Sequence, residues 1–178
     1  PHNGTILDIG SCEATYLSTI VNPGRILHCL DVRDCQADLP ENVYFHHQSL
    51  IGNDLPASYF DAILVLSTLE HIGLPHYDQQ GLENSDVLAL SEIRRLLKPS
   101  GSTIITLPAG RSKLTLWYRQ YSPEDIKQLF AQWQYTVDYW GFRGGAYQKI
   151  DESEVTSFDY DYAHGSGAVA CIVARILA

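Results

Sequence analysis

Mostly apolar runs of five to seven residues, separated by helical segments, constrain the fold of this chain more than any other feature. They lie at residues 5–9, 25–30, 43–47, 60–66 and 102–107. Runs of this kind are typical of parallel strands that helices cover on both faces. Helical patterns lie between them at residues 12–21 and 86–97. The order of elements therefore predicts an α/β fold, with a parallel sheet between two helical layers.

The remainder of the chain extends this pattern. Ser122 and Pro123 are typical of an N-cap and a first helical residue, so a helix is predicted from there to about residue 133. Two final strands are predicted at residues 135–142 and 168–176, joined by a long polar and aromatic connection. No repeat or linker interrupts the 178 residues, so residues 1–178 are predicted to form a single domain.

Charge and cysteine usage exclude several classes of function. The formal net charge is -9 and lysines and arginines do not cluster, which disfavours nucleic acids and anionic membranes as partners. No apolar run is long enough to span a bilayer. The four cysteines form no C-x-x-C pair, so neither a metal site nor a disulfide framework is predicted. We expect four reduced thiols in a cytoplasmic protein without a basic, apolar leader.

Two strand ends indicate a nucleoside ligand. Gly10 allows a tight turn after the first run, and Asp31 follows the second run, where a carboxylate can bind ribose hydroxyls. A dinucleotide needs a second glycine near its pyrophosphate, but Cys12 occupies that position, and Asp8 adds a negative charge beside it. S-adenosylmethionine (SAM) has no phosphate, and its two cationic groups suit acidic surroundings. The same two features also occur in α/β proteins that bind nothing at this position.

Four segments in order resemble one family. They are ILDIG at 6–10, YFDAI at 59–63, LEHI at 69–72 and EIRRLLKPSG at 92–101. Together they resemble the class I SAM-dependent methyltransferases of the type 11 group, over about residues 5–133. The resemblance implies a Rossmann-like three-layer sandwich with a seven-stranded, mostly parallel sheet and a C-terminal antiparallel hairpin. Cys12 and Ala14 depart from it, because family members often carry glycine there.

The resemblance also implies which residues bind SAM. Residues of the first loop would face the methionine part, Asp31 would hold the ribose, and apolar residues would lie near the adenine. Two residues after the fourth strand would contact the amino group or the sulfonium region. The predicted cofactor residues are Asp8, Gly10, Ser11, Asp31, Val32, Leu50, Leu66 and Ser67.

The acceptor site is predicted from loops at the same edge of the sheet. His71 follows the fourth strand and is the candidate general base, although a role in capping a helix or bonding the backbone is slightly favoured. Residues 66–69 lack the Asp/Asn-Pro-Pro-aromatic element of enzymes that methylate planar nitrogen. We therefore expect methylation of a small molecule at oxygen, with a sugar or related metabolite as acceptor. Predicted substrate-binding residues are His76, Tyr77, Arg111 and Tyr118.

Three alternatives stay open on the sequence. A non-catalytic SAM-binding or interaction domain is favoured by the poor glycine loop. An aminopropyl transferase would need an acidic polyamine site, and no acidic cluster follows the fourth strand. An oxidoreductase would need the missing second glycine. The oligomeric state is not indicated by any pattern.

Overall fold

The computed structural model describes residues 3–35, 39–75, 81–160 and 165–177. Within those ranges the strands are β1 (Gly4–Ile9), β2 (Arg25–Asp31), β3 (Val43–His47), β4 (Phe60–Leu66), β5 (Leu97–Ala109), β6 (Lys113–Leu114), β7 (Arg119–Gln120), β8 (Trp133–Arg143), β9 (Ala146–Ile150) and β10 (Ala168–Ile176). The helices are α1 (Leu17–Ile20), α2 (Ser85–Leu96) and α3 (Pro123–Leu129), and 3-10 turns cover Ser11–Glu13, Leu69–His71 and Glu152–Ser157.

Eight strands form the main sheet, in the order β3-β2-β1-β4-β5-β10-β8-β9. The pairs among the first five strands in this order are parallel, and β10 lies antiparallel between β5 and β8. The α/β fold class and the antiparallel C-terminal strands are confirmed. The strand order reverses beside β1, which has β2 on one side and β4 on the other. Ligands of such sheets bind at this reversal, beyond the carboxyl ends of the strands.

The expected seven strands become eight because β9 pairs with the outer edge of β8. Gly144 and Gly145 connect the two strands, with φ angles of 60° and 88°. A two-residue turn with both φ angles positive joins antiparallel strands well, and glycine adopts it without steric cost. The predicted long connection after residue 142 therefore begins as a hairpin, and the Gly-Gly pair was its sequence signal.

Helices α2 and α3 cover the sheet with apolar residues. Ala89, Ile93 and Leu96 of α2 are fully buried in the main core, together with Ile126 of α3. Ser122 caps α3 as predicted, because its hydroxyl accepts a hydrogen bond from Asp125 N–H and the Asp125 carboxylate accepts one from Ser122 N–H. Among the described residues, no helix is both long enough and apolar enough to cross a membrane.

The helix predicted at residues 12–21 is wrong in extent. The chain forms a 3-10 turn at Ser11–Glu13, leaves helical geometry at Ala14 and resumes as the single turn α1. Tyr16 lies at the interruption, and its hydroxyl donates a hydrogen bond to Asp8 near the end of β1. This contact ties the first loop to the strand edge and leaves room for a cavity above it.

Candidate cofactor and acceptor site

A cavity of about 420 Å³ opens beyond the carboxyl ends of β1, β2 and β4. Its walls include six of the eight predicted cofactor residues and the predicted base. These are Gly10, Asp31, Val32, Leu50, Leu66, Ser67 and His71. The other two, Asp8 and Ser11, are buried behind the wall. The volume lies within the range typical of small-molecule sites.

Gly10 makes the turn from β1 into the cavity wall. Its φ angle is 83°, and its N–H donates a hydrogen bond of 2.8 Å to Leu30 O. A Cβ atom at this position would collide with the Thr68 side chain. Both the backbone conformation and the close approach of the loop after β4 therefore require glycine.

Asp31 is held at the end of β2 by hydrogen bonds from its neighbours. Its carboxylate accepts bonds from Cys12 N–H at 3.0 Å and from Arg33 N–H at 2.9 Å. The Arg33 guanidinium adds two more at 3.1 Å and also pairs with Glu13 at 2.6 Å. Burial raises the pKa of Asp31, but the Arg33 bonds outweigh it and hold this pKa below its ordinary value. Asp31 is therefore ionised at neutral pH and can accept further hydrogen bonds.

Asp8 lies beneath the cavity and is completely buried. Tyr16 donates a 2.6 Å hydrogen bond to Asp8 Oδ1, and Oδ2 has no hydrogen-bond partner among the described residues. Burial raises the pKa of Asp8 to about 6. A cationic group near this carboxyl would stabilise its ionised form. Tyr16 lines the cavity and was missed by sequence reasoning, because only the folded loop brings it to Asp8.

His71 and Trp117 also line the cavity, and their side chains contact each other. Their rings stack at a centroid distance of 5.3 Å and an angle of 16°, and His71 Nδ1 bonds to Trp117 O. His71 Nε2 lies 3.9 Å from Glu70 Oε1. Glu70 is 3% exposed, and burial raises its pKa to about 8. A carbonyl oxygen only accepts, so Nδ1 carries the proton in the neutral ring and Nε2 is the proton-accepting atom.

Neither of the two predicted substrate residues that the structure describes lines this cavity. Tyr118 is buried and packs its ring at 4.6 Å from that of Tyr160, behind the wall. Arg111 is exposed and donates a hydrogen bond to Thr156 O. His76 and Tyr77 lie outside the described residues. Trp117, adjacent to Tyr118, is the residue of that segment that does line the cavity.

The expectation of four reduced thiols is wrong for Cys12 and Cys35. These residues form a disulfide whose Cα atoms are 5.5 Å apart, while Cys29 and Cys171 are free. The two residues are 23 positions apart and lie in separate loops, so spacing alone could not pair them. Folding of β1 beside β2 brings the two loops together.

A family model described as a methyltransferase domain, type 11, matches residues 7–105, which is more than half of the chain. The chain belongs to the class I SAM-dependent methyltransferase superfamily. It is therefore a methyltransferase with SAM as its cofactor, and the identification made from the four sequence motifs is confirmed. No curated protein matches this methyltransferase significantly in sequence.

Solved structures share the fold at low identity. The 1,6-didemethyltoxoflavin-N1-methyltransferase of Burkholderia thailandensis, bound to 1,6-didemethyltoxoflavin and S-adenosylhomocysteine, matches with a TM-score of 0.66 and 17% identity over 99% of this chain and 72% of its own. A SAM-dependent methyltransferase from Methanosarcina mazei gives 0.66 and 12%, over 100% and 95%. A phosphoethanolamine N-methyltransferase of Haemonchus contortus gives 0.63 and 14%, over 98% of this chain but 48% of its own.

The residues present fit SAM. The cavity combines an ionised carboxylate at Asp31, a glycine turn at Gly10 and apolar contacts from Leu50. Asp8 Oδ2, which has no hydrogen-bond partner in the part of the chain that the structure describes, lies buried beneath the same loop. An acidic site with apolar walls suits a cationic nucleoside better than a phosphate-bearing cofactor.

Proposed function

We propose that this methyltransferase transfers the methyl group of SAM to a hydroxyl oxygen of a small molecule, and that a sugar or a sugar-containing metabolite is the acceptor. One observation carries the proposal. His71 and Asp31 line the same cavity, so a proton-accepting group and a ribose-binding carboxylate share one space. Bound SAM supplies an electrophilic methyl group, and the protein has to align the acceptor and remove its proton.

In this proposal the SAM site is built from three parts. Asp31 accepts hydrogen bonds from the ribose hydroxyls after the Arg33 guanidinium gives way. Val32 and Leu50 pack against the adenine, while Leu66 and Ser67 contact the region of the sulfonium. Asp8, behind Gly10 and Ser11, provides the negative charge for the amino end of the methionine part.

His71 supports an oxygen acceptor through its tautomer. With Nδ1 donating to Trp117 O, Nε2 can accept the proton that a hydroxyl loses as the new bond to carbon forms. A neutral amine can attack without prior loss of a proton, so it gains less from this base. Glu70 lies 3.9 Å from Nε2, and because burial raises its pKa to about 8 it stays protonated near neutral pH and leaves His71 as the proton acceptor. The Trp117 ring beside His71 offers an apolar face against which a sugar ring can pack.

The SAM site is tested by titration of SAM into Asp31→Ala, His71→Ala and the control Asp34→Ala. Asp34 is an exposed carboxylate in the same loop, so its variant makes the same change of charge away from the cavity. Loss of the charged acceptor at residue 31 should weaken SAM binding about tenfold or more. His71→Ala and Asp34→Ala should change it less than about threefold. Equal losses in Asp31→Ala and His71→Ala would refute the site assignment.

The acceptor is tested with methyl-labelled SAM and a panel of sugars and glycosides, each matched to an amino sugar of the same ring. We expect label on hydroxyl oxygens, and we expect His71→Ala to lower turnover while SAM binding persists. Label found only on amines would contradict the oxygen proposal. Unchanged turnover in His71→Ala would remove His71 from the mechanism.

A further inference from the structure

The Cys12–Cys35 disulfide joins the two loops that form one wall of the cavity. Cys12 lies in the 3-10 turn after β1, and Cys35 lies four positions beyond the end of β2. Their Cα separation of 5.5 Å is ordinary for a disulfide. Both residues are half-buried, so neither lies within the closed core.

Contacts of the pair converge on the residues around Asp31. Both sulfur atoms lie 3.6 Å from Arg33 O, and Cys12 N–H donates a 3.0 Å hydrogen bond to Asp31 Oδ2. Gly10 and Val32, on opposite sides of the crosslink, line the cavity. The disulfide therefore fixes the distance between the two loops where a nucleoside has to bind.

A metal site is the competing interpretation of the same cluster. One ligand atom each from Cys12, Asp31 and Cys35 lies within 4.8 Å of the others. The Asp31 carboxylate, however, already accepts two hydrogen bonds from the Arg33 guanidinium, and that cation would lie against a metal ion. The cluster therefore favours a redox pair over a metal site.

We propose that Cys12 and Cys35 form a reversible redox modification site, and that the oxidised form binds SAM more tightly. The proposal rests on the SAM site of the proposed function. Oxidation transfers two electrons and two protons from the two thiols to a small-molecule disulfide, which leaves as two thiols. Excess dithiol reverses the step, because it returns two electrons and two protons and becomes oxidised itself.

Preorganisation gives the direction of the effect. Without the crosslink, the described contacts that hold the two loops together include the bond from Cys12 N–H to Asp31 and the Arg33–Glu13 ion pair. That ion pair is weak, because the Glu13 side chain is 78% exposed. A reduced chain has to order both loops when SAM binds, whereas the oxidised chain has them already in place.

The other two cysteines provide an internal comparison. Cys29 is 2% exposed, and burial raises its pKa to about 11. Burial also raises the pKa of Cys171, which lies within β10. A raised pKa lowers the thiolate fraction that exchange requires, so neither thiol should react readily.

The test compares the full chain after equilibration with oxidised glutathione and after treatment with excess dithiol. Alkylation and mass measurement should find two fewer free thiols in the oxidised chain. Without SAM, its thermal midpoint should lie about 6 to 12 °C higher, as closure of a loop of this length implies. Its Kd for SAM should be about three- to tenfold lower.

Two variants complete the test. Cys12→Ser/Cys35→Ser should give one Kd for SAM under both conditions, and Cys171→Ser should behave as the unmodified chain does. Equal numbers of free thiols under both conditions, or one metal ion bound per reduced chain, would overturn the redox site. Equal or weaker SAM binding by the oxidised chain would overturn its effect on the cofactor. If neither form binds SAM although the thiol count and midpoint change as expected, the proposed function fails together with that effect.

Discussion

Replacing Glu70 with glutamine should change how the stability of this methyltransferase depends on pH. Glu70 is 3% exposed, and its Oε2 has no hydrogen-bond partner among the described residues. Burial raises its pKa from the ordinary value of 4.5 to about 8. Between these two values the folded chain keeps a proton that the unfolded chain has lost. Stability is therefore present in full below about pH 4.5 and is lost as pH rises towards the folded pKa.

The magnitude follows from the difference between the two pKa values. Each unit corresponds to about 1.4 kcal/mol, so from pH 4.5 to pH 7 the wild-type chain loses about 3 kcal/mol through this residue. Glu70→Gln removes the titration and keeps the shape. The new amide can add a constant cost of about 1 to 3 kcal/mol if its N–H groups lack acceptors. Because that cost does not vary with pH, the variant should gain about 3 kcal/mol relative to wild type across the interval.

Urea unfolding followed by tryptophan fluorescence, at intervals from pH 4.5 to pH 8, measures this difference. Titrations common to both chains, such as that of buried Asp8, cancel in the comparison. Glu83→Gln is the matched control, because it makes the same change of side chain at an exposed position outside the core. A flat difference for Glu70→Gln would refute the reasoning, since Glu70 would then be ionised in the folded chain.

Two further predictions concern the backbone. Gly10→Ala and Gly52→Ala both place a side chain at a φ angle near 83°, but only at residue 10 would the new Cβ collide, with Thr68. Gly52→Ala should lower the free energy of unfolding by about 1 to 2 kcal/mol. Gly10→Ala should lower it by about 1 to 3 kcal/mol more and abolish SAM binding. Equal costs for the two variants would contradict the close approach of Gly10 to Thr68. Ser122→Ala removes the hydroxyl that caps α3 by accepting a hydrogen bond from Asp125 N–H. The free energy of unfolding in urea should fall by about 1 kcal/mol, and an unchanged value would contradict the cap.

Much of the site could be predicted from local sequence because of how parallel sheets are built. Residues that follow strands of such a sheet meet at one edge, so Gly10, Asp31 and Leu66 could be placed together without coordinates. All three line the cavity. The apolar runs predicted β1 to β4 to within one residue at each end, whereas β5 begins at Leu97, five residues before the predicted run.

Loop residues were predicted less well, because their positions depend on contacts distant in sequence. Arg111 and Tyr118 come from a segment rich in aromatic and basic residues, and their types alone suited a binding site. Packing of Tyr118 against Tyr160 turns it into the protein, and Trp117 lines the cavity in its place. Two neighbouring residues in a loop thus differ in role through long-range packing that no local pattern records.

The sequence by itself determined the fold class, the methyltransferase family and the edge of the sheet at which the cavity opens. These follow from the order of apolar runs and from a few turn and acidic residues at strand ends. Only the tertiary structure decided that Cys12 meets Cys35, that Trp117 bonds and stacks against His71, and that Glu70 is buried beside it. The physical reason is that each of these features depends on the packing of segments that are far apart in the chain. Such packing is a property of the whole core and leaves no local pattern in the sequence.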